Sequence, residues 1–77
     1  MNTTIKRLRN RENITLFDSG TKLFHRIQLN KTTPFICWQR FVSTNRNNWV
    51  KHNECLSLKE IVQLQTQIKF NRNRIKL

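Results

Sequence analysis

Apolar and polar residues alternate most clearly in the segment KLFHRIQL, residues 22–29. Every second side chain shares a face there, as in a strand with one buried and one solvated face. A shorter segment, residues 14–17, is rich in strand formers. Residues 18–21, DSGT, contain the only glycine of the chain, which is available for a positive φ in a tight turn. The pattern predicts two strands joined by this turn.

A third strand is predicted from about residue 35 to residue 43, where β-branched and aromatic residues dominate. Turn residues and the only proline, within residues 30–34, connect it to the second strand. Alternation gives this strand two faces: Ile36, Trp38, Arg40 and Val42 share one, and Phe35, Cys37, Gln39 and Phe41 share the other. We place Trp38 in the core and Gln39 on the open face.

The segment from Ser57 onward predicts an α-helix. Ser57 is a good N-cap residue, and Glu60 three positions later completes a capping box. Apolar residues recur at helical spacing at Leu58, Ile61, Leu64 and Ile68. Residues 44–56 have no periodicity, so we expect a connecting loop whose Trp49 and Val50 pack back onto the domain.

These elements predict an α+β fold in which a three-stranded antiparallel sheet packs against one C-terminal α-helix. The chain has 77 residues, enough for one small domain. We assign this domain to residues 13–70. Residues 1–12 are expected to form a basic, flexible arm, and residues 71–77 a basic tail or the start of a linker.

The charge of the chain points to the kind of partner. There are 15 Lys and Arg against 4 Asp and Glu, giving a net charge of +11, and the basic residues are spread over most of the length. This composition is typical of a protein that binds nucleic acid or another anionic surface. The alternatives are a basic but inert surface and, for the Arg-rich start, an organellar targeting peptide. The most apolar run, residues 34–38, is far shorter than the roughly 20 residues that cross a bilayer, so we expect no membrane partner.

Few side chains could support catalysis. The chain has no tyrosine and four carboxylates in all, so we interpret it as a binder that is not an enzyme and has no cofactor. Two cysteines and two histidines could hold zinc, but they lack the close spacings of zinc sites. Cys37 and Cys55 are expected to be reduced thiols in an intracellular protein, Cys55 as a small buried residue before the helix. His25 is interpreted as a satisfied histidine of the core or its rim.

Cationic, amide and aromatic side chains are interleaved over the predicted sheet, its loops and the arm. Lys and Arg meet phosphates, while Arg and Gln make paired hydrogen bonds to base edges in a major groove wide enough for a small antiparallel sheet. The helix is poorly charged because it covers the back of the sheet and leaves the other face to the ligand. The predicted binding residues are Lys6, Arg7, Arg9, Lys22, Phe24, Arg26, Gln28, Gln39, Arg40, Arg46 and Lys51.

The sequence WQRFVST, followed after the Asn-rich loop by ECLSLKEIVQLQTQI, resembles the N-terminal arm-type DNA-binding domain of the tyrosine integrases of conjugative transposons and related phages. The likeness covers roughly residues 14–69. It implies a three-stranded sheet, backed by one helix, that inserts its face into the major groove of sites flanking the ends of a mobile element. By position, the resemblance places Lys22, Phe24, Arg26, Gln28, Cys37 and Gln39 on the DNA face.

The sequence departs from this family in two respects. Cys37 and Gln39 stand on the third strand, where the family often has an aromatic residue. The catalytic domain and its nucleophilic tyrosine are absent from this chain. The resemblance therefore implies either a fragment of a longer integrase or a free-standing protein that uses the same module.

We therefore expect a double-stranded DNA-binding module that takes part in site-specific recombination or integration of a mobile element. Its further partners are expected to be a recombinase catalytic domain or an accessory protein, in the cytoplasm of a bacterial or phage-infected cell. One alternative is a structural RNA-binding protein of a ribonucleoprotein, such as an organellar ribosome in the mitochondrial matrix. Another is a small protein that binds a second protein through Trp49 and Phe24.

Overall fold

A computed structural model describes residues 3–75 of the chain, with the side chains of residues 4–73. The elements follow one another as a helix, four strands and a second helix. They are α1 (Thr3–Arg9), β1 (Ile14–Asp18), β2 (Leu23–Leu29), β3 (Trp38–Ser43), β4 (Val50–Leu56) and α2 (Leu58–Ile75). Along residues 3–75, no helix has the length and the apolar content that crossing a membrane requires.

The four strands form one antiparallel sheet in the order β1-β2-β3-β4, so each strand pairs with its neighbour in sequence. Ile14 of β1 pairs with Ile27 of β2, and Leu29 of β2 pairs with Trp38 of β3. These apolar residues share one face, which confirms the alternation predicted for β2 and β3. The fold is α+β with a C-terminal helix, as predicted, but its sheet has four strands where three were expected.

The additional strand, β4, lies in the segment predicted to be a connecting loop, residues 44–56. Its pairing with β3 shifts register between Trp38 and Arg40 and again between Arg40 and Phe41. Each irregularity changes which face the following side chains share, so the sequence of β4 shows no period of two. Most of its residues are also exposed, with Leu56 as the buried one. The sequence of an irregular, exposed strand such as β4 carries no alternation that would predict it.

The core lies between one face of the sheet and the two helices. It consists of the buried side chains Leu8, Ile14, Ile27, Trp38, Leu56 and Ile61. Leu58 and Leu64 of α2 pack against this cluster. The apolar stripe of α2 therefore covers the face of the sheet that carries Ile27 and Trp38, as predicted.

Part of the segment for which we predicted a flexible arm, residues 1–12, is helical in the structure. Thr3–Arg9 form α1, and its Leu8 is buried in the core with 1% of its surface exposed. The backbone N–H of Glu12 donates to the carbonyl of Arg7 and helps to end the helix. The helix is held on the domain by one buried leucine within a run of basic residues. A single apolar residue in such a run does not predict that the segment packs on the core. Met1 and Asn2 lie outside the described residues.

The helix α2 begins where the sequence predicts. The hydroxyl of Ser57 accepts a hydrogen bond from the N–H of Glu60 at 3.2 Å, and the carboxylate of Glu60 accepts one from the N–H of Ser57 at 3.1 Å. This reciprocal pair is the predicted capping box. The helix ends at Ile75, so residues 71–75 continue it where a tail was expected. Residues 76–77 lie outside the described part.

The turn from β1 to β2 is closed against the last turns of α2. The Asp18 carboxylate accepts hydrogen bonds from the N–H groups of Gly20 at 2.9 Å and Thr21 at 3.3 Å. Its other oxygen accepts one from the side-chain amide of Asn71 at 3.0 Å. Burial works to raise the pKa of Asp18, but the hydrogen bonds led by that of Asn71 outweigh it and lower the pKa.

Glycine is needed in this turn for close approach. Gly20 does not have the positive φ that we expected, which is found instead at Lys22, with φ of 61°. A Cβ added to Gly20 would lie 2.7 Å from the Cβ of Asn71 and 3.0 Å from its carbonyl oxygen. The absence of a side chain at position 20 therefore lets α2 dock on the turn.

Cys37 and Cys55 form a disulfide, with their Cα atoms 5.2 Å apart. The expectation of reduced thiols is therefore wrong. Cys37 is 2% exposed, whereas Cys55 is exposed and not buried as expected. The two residues are 18 positions apart and meet because β4 pairs with β3. The bond could not be predicted because that pairing was not.

Candidate nucleic-acid interface

We call the face of the sheet opposite α2 the open face. Its side chains are Thr15 and Phe17 of β1, Phe24, Arg26 and Gln28 of β2, Gln39 and Phe41 of β3, and Lys51 of β4. The register places Gln28 opposite Gln39, and Arg26 opposite Phe41. Amides and an arginine thus lie side by side on the two central strands, within a surface that also offers rings and cations.

Two arginines lie over aromatic rings on the open face. The Cζ atom of Arg26 is 4.3 Å from the centroid of the Trp49 ring, and Cζ of Arg46 is 5.4 Å from that of Phe24. Trp49 and Arg46 belong to the loop between β3 and β4, and the indole N–H of Trp49 donates to the carbonyl of Arg46 at 3.1 Å. The loop therefore folds over the sheet and brings a second guanidinium to it.

The remaining rings lie on either side of the central strands. The rings of Phe17 and Phe24 have centroids 4.7 Å apart and a tilt of 39°. The Nζ atom of Lys51 lies 6.0 Å from the centroid of Phe41. Phe17 is 48% exposed, so its ring surface is open to a ligand. Exposed ring faces of this kind stack against nucleic-acid bases.

A chain of hydrogen bonds crosses three strands at one end of the open face. The Gln28 amide donates to the carbonyl of the Gln39 side chain at 3.3 Å, and the Gln39 amide donates to the Glu54 carboxylate at 3.3 Å. Lys51 donates to the other oxygen of that carboxylate at 2.9 Å. The hydrogen bonds from Lys51 and then Gln39 lower the pKa of Glu54. The ionised carboxylate therefore orients the two amides.

Most of the predicted contact residues of the sheet meet on this face. Those brought together are Phe24, Arg26, Gln28, Gln39, Arg46 and Lys51. Lys22 lies beside them in the turn before β2, exposed and outside the strand. The agreement follows from the strict alternation of β2, which fixes its two faces once Ile27 is in the core.

Arg40 is a predicted contact residue that lies on the opposite face of the sheet. Its Nε donates to the side-chain oxygen of Asn53 at 2.6 Å, and its Nη1 is 3.4 Å from Nδ1 of His25. Alternation had already placed Arg40 with Trp38, on the core side. The structure corrects its assignment to the ligand: Arg40 is half-buried and joins the half-buried Asn53 and the buried His25 in a polar cluster on the side of α2.

His25 is the buried member of this polar cluster. It is 5% exposed, and burial, followed by the charge of Arg40, lowers its pKa, while Asp18 acts in the other direction. The ring is therefore held neutral, with Nδ1 accepting from Arg40. Its Nε2 is buried without a hydrogen-bond partner among the described residues. We expected a satisfied histidine, and one of the two ring nitrogens, Nδ1, has a hydrogen-bond partner.

Cys37 also cannot serve as a contact residue in this structure. The resemblance placed it on the DNA face, but only 2% of its surface is exposed and its sulfur is bonded to Cys55. The backbone carbonyl of Cys37 accepts a hydrogen bond from the N–H of Asn30 at 2.9 Å. Its role is to close the loop between β2 and β3.

The predicted cations of the arm lie away from the open face. Lys6, Arg7 and Arg9 are exposed on α1, and α1 packs through Leu8 on the core side of the sheet. Arg7 forms an ion pair with Glu12 at 3.4 Å. These cations cannot reach a ligand on the open face together with Arg26 unless the ligand wraps around the domain.

Five members of the interface were not predicted from the sequence: Thr15, Phe17, Phe41, Trp49 and Glu54. Phe41 could have been found, because it shares the predicted face of Gln39. Phe17 needed the register of the first hairpin, which the sequence does not fix. Trp49 and Glu54 needed the strand β4 and its loop. Within the described part of the chain, no three His, Cys, Asp or Glu side chains lie close enough to hold a metal ion.

Comparison of the chain with protein families, with curated proteins and with solved structures gives no match.

Proposed function

We propose that this protein binds double-stranded DNA by placing the open face of its sheet in the major groove. The observation that carries this proposal is the position of Arg26, Gln28 and Gln39, which occupy the two central strands, with Gln28 and Gln39 as cross-strand partners. Arg pairs with guanine and Gln with adenine through two hydrogen bonds each. A cluster of these side chains suits the reading of base edges.

The dimensions of the sheet decide which strands enter the groove. Two strands lie about 4.8 Å apart, so four span about 14 Å between the outer backbones. The major groove is about 12 Å wide. We infer that β2 and β3 enter it, whereas β1 and β4 follow its walls.

The cations around the central amides suit contacts to phosphate. Lys51 lies on the side of Gln39, where both contact Glu54, whereas Arg46 and Lys22 lie at the other end of β2, near Phe24. One carboxylate, that of Glu54, adjoins this surface among the described residues, and Lys51 pairs with it. Neutralising about 6 phosphates predicts a salt slope of about −5 in log K against log[salt].

The proposed biological role rests on the resemblance of the sequence of residues 14–69 to an integrase arm-type domain. We propose that the module directs a mobile element to its recombination sites, with a recombinase catalytic domain or an accessory protein as its partner. This role places it in the cytoplasm of a bacterial or phage-infected cell. A reducing cytoplasm keeps most cysteine pairs as thiols, whereas Cys37 and Cys55 are bonded in this structure, so the redox state of the pair in the cell tests the proposed compartment.

A second function is favoured by the aromatic rings. Trp49, Phe24 and Phe41 are each paired with a cation, and Phe17 extends the row. Rings and arginine planes on a sheet are the usual supports for unpaired bases of RNA. A structural RNA-binding protein of a ribonucleoprotein is therefore the alternative, with the mitochondrial matrix as its location.

A selection experiment tests the two functions against each other. The purified chain is incubated with a randomised duplex DNA pool and an equal mass of structured RNA, over a series of salt concentrations. We expect one short duplex motif to be enriched and to survive moderate salt. Preferential retention of the RNA would overturn the DNA proposal in favour of the RNA alternative. Equal binding of all the duplexes and of the RNA, lost as the salt concentration rises, would overturn both proposed functions.

A further inference from the structure

The strand β1 forms one edge of the sheet, so only one side of its backbone pairs, with β2. Beside its other edge lies a groove of about 430 Å³ between the strand and α2. The residues of the groove that matter here are Leu16, Phe17, Val62, Ile68, Lys69 and Arg72. The groove thus lies where a further strand would be added.

The other edge of the sheet, β4, is less suited to pairing. Its register with β3 is broken twice, and Lys51 and other exposed polar residues follow it. Irregular, charged edges of this kind resist the addition of a strand. The register of β1 with β2 is unbroken over five residue pairs, from Ile14 to Asp18. The regular edge is therefore the one that adjoins the groove.

The helix α2 presents two stripes of side chains to its surroundings. Ile61 and Leu64 belong to the stripe that packs on the core. Val62 and Lys69 belong to a second stripe, at helical spacing, that lines the groove. Val62 is 40% exposed and Phe17 48% exposed, so apolar surface in the groove is left uncovered by the described chain.

The charge in this groove is positive. Lys69 and Arg72 line it, and none of the described residues that line it carries a carboxylate. The acid at the end of β1, Asp18, is 4% exposed and is held by Gly20, Thr21 and Asn71. A second copy of this chain would bring the same cations against Lys69 and Arg72. Charge complementarity instead favours an acidic partner.

We propose that the edge of β1 and the groove beside α2 bind an extended, partly acidic segment of a partner protein as a fifth strand. Backbone hydrogen bonds to β1 supply affinity, and alternate side chains of the segment face α2. Apolar side chains meet Leu16 and Val62, and acidic ones meet Lys69 and Arg72. Because Val62 and Lys69 are about 10 Å apart along the helix, the apolar and acidic side chains lie two to four residues apart.

The partner site shares Phe17 with the open face and is otherwise separate from the proposed nucleic-acid surface. The rest of its groove is lined by α2 and the outer edge of β1, whereas Arg26, Gln28 and Gln39 lie on the central strands. The residues that we expect to read bases therefore lie outside the partner site, so the loss of one ligand does not imply the loss of the other. An experiment can therefore contradict the proposed partner site without contradicting the proposed binding of nucleic acid, and the reverse.

The test uses a defined peptide and the full chain. The blocked peptide Val-Thr-Val-Thr-Glu-Thr-Glu and its reversed sequence are titrated into the ¹⁵N-labelled protein, and amide shifts are followed. The control peptide carries proline in place of the first two threonines, which keeps its charge and removes two donors from the ladder. We expect saturable shifts at residues 14–18 and 62–72, in one of the two peptide directions, and at least about tenfold weaker binding of the proline peptide.

Paired charge variants complete the experiment. Lys69→Glu combined with Arg72→Glu should abolish the binding, whereas Lys31→Glu combined with Lys59→Glu changes the net charge equally and should leave most of it. Equal binding of the proline peptide, equal losses in both variants, shifts centred on the open face, or no saturable shift would each overturn the proposal. Binding of nucleic acid to the same variants is measured separately, and its failure would bear on the proposed function alone.

Discussion

The guanidinium of Arg26 lies over the indole ring of Trp49, with its Cζ 4.3 Å from the ring centroid. This contact joins β2 to the loop before β4, and it limits the rotamers of a long side chain before any ligand arrives. An ordered arginine loses less conformational entropy on binding than a free one. The ring therefore pre-organises the group that we expect to read a base.

We expect variants of the open face to sort by their role. Arg26→Ala and Gln39→Ala should each cost about 1–3 kcal/mol at one base pair and relax the preference for one site. Lys6→Ala, on α1, should weaken the binding of all DNA about equally and slightly, because Lys6 lies away from the open face and contributes only through the net charge of the domain. Competition titrations with specific and scrambled duplexes measure these effects, with Lys59→Ala as the control. Uniform losses for all three variants would contradict this sorting.

Replacing Glu54 should strengthen binding. Glu54→Gln removes a carboxylate beside the open face and frees Lys51, while the amide can still contact Gln39. We expect several-fold tighter binding at low salt, weaker discrimination between sites, and a steeper salt slope. Glu12→Gln changes the net charge equally, but acts at α1 and should have little effect. Equal gains in the two variants would show that only net charge matters.

The burial of Leu8 predicts that α1 contributes to stability. Leu8→Ala should lower the free energy of unfolding by about 2–5 kcal/mol, because it leaves a cavity against Ile14 and Trp38. Lys6→Ala on the exposed side of the same helix should change it by less than about 0.5 kcal/mol. Urea unfolding followed by circular dichroism measures both. A negligible effect of Leu8→Ala would mean that residues 1–12 behave as a flexible arm after all.

The disulfide should stabilise the loop between β2 and β3. Cys37→Ser combined with Cys55→Ser should cost about 3 kcal/mol, the value expected for a loop of this length. A reductant should lower the stability of the natural sequence by a similar amount and leave the double variant unchanged. Thermal unfolding with and without reductant provides the measurement. Stability insensitive to reductant in the natural sequence would contradict this assignment.

Acid should destabilise the fold through His25. Burial, then Arg40, lowers its pKa in the folded state, so the unfolded chain takes up the proton first as the pH falls. The contribution is therefore complete above the unfolded pKa of roughly 6.5 and is lost as the pH falls through the folded pKa. His25→Gln, which still offers an acceptor to Arg40, should flatten the decline of stability that begins as the pH falls below about 6.5. His52→Gln, at an exposed position, is the control, and an unchanged profile in His25→Gln would contradict the prediction.

The sequence predicts those parts of the fold whose pattern is local and regular. The two faces of β2 follow from strict alternation, and the start of α2 follows from Ser57 and Glu60. The strand β4 was not predicted, because its two register breaks remove the period of two and most of its side chains are exposed. The helix α1 was not predicted, because it is stabilised by the burial of Leu8 among core residues that are distant in sequence.

The candidate site shows the same division. Arg26, Gln28 and Gln39 could be placed because they lie on regular strands. Trp49 and Glu54 reach the face through the loop and edge strand that the pattern did not reveal. The assignment of Arg40 failed because charge was given more weight than the alternation that placed it beneath α2.

The close approach of Gly20 to Asn71 has a consequence for mutational tolerance. Even the methyl group of alanine would overlap Asn71 at 2.7 Å, although Gly20 is an exposed turn residue without a positive φ. In a saturation mutagenesis screen scored by folding, position 20 should therefore reject substitutions as severely as Ile27 in the core. Neighbouring exposed positions, such as Thr21, should accept many. Solvent exposure alone would misjudge this position.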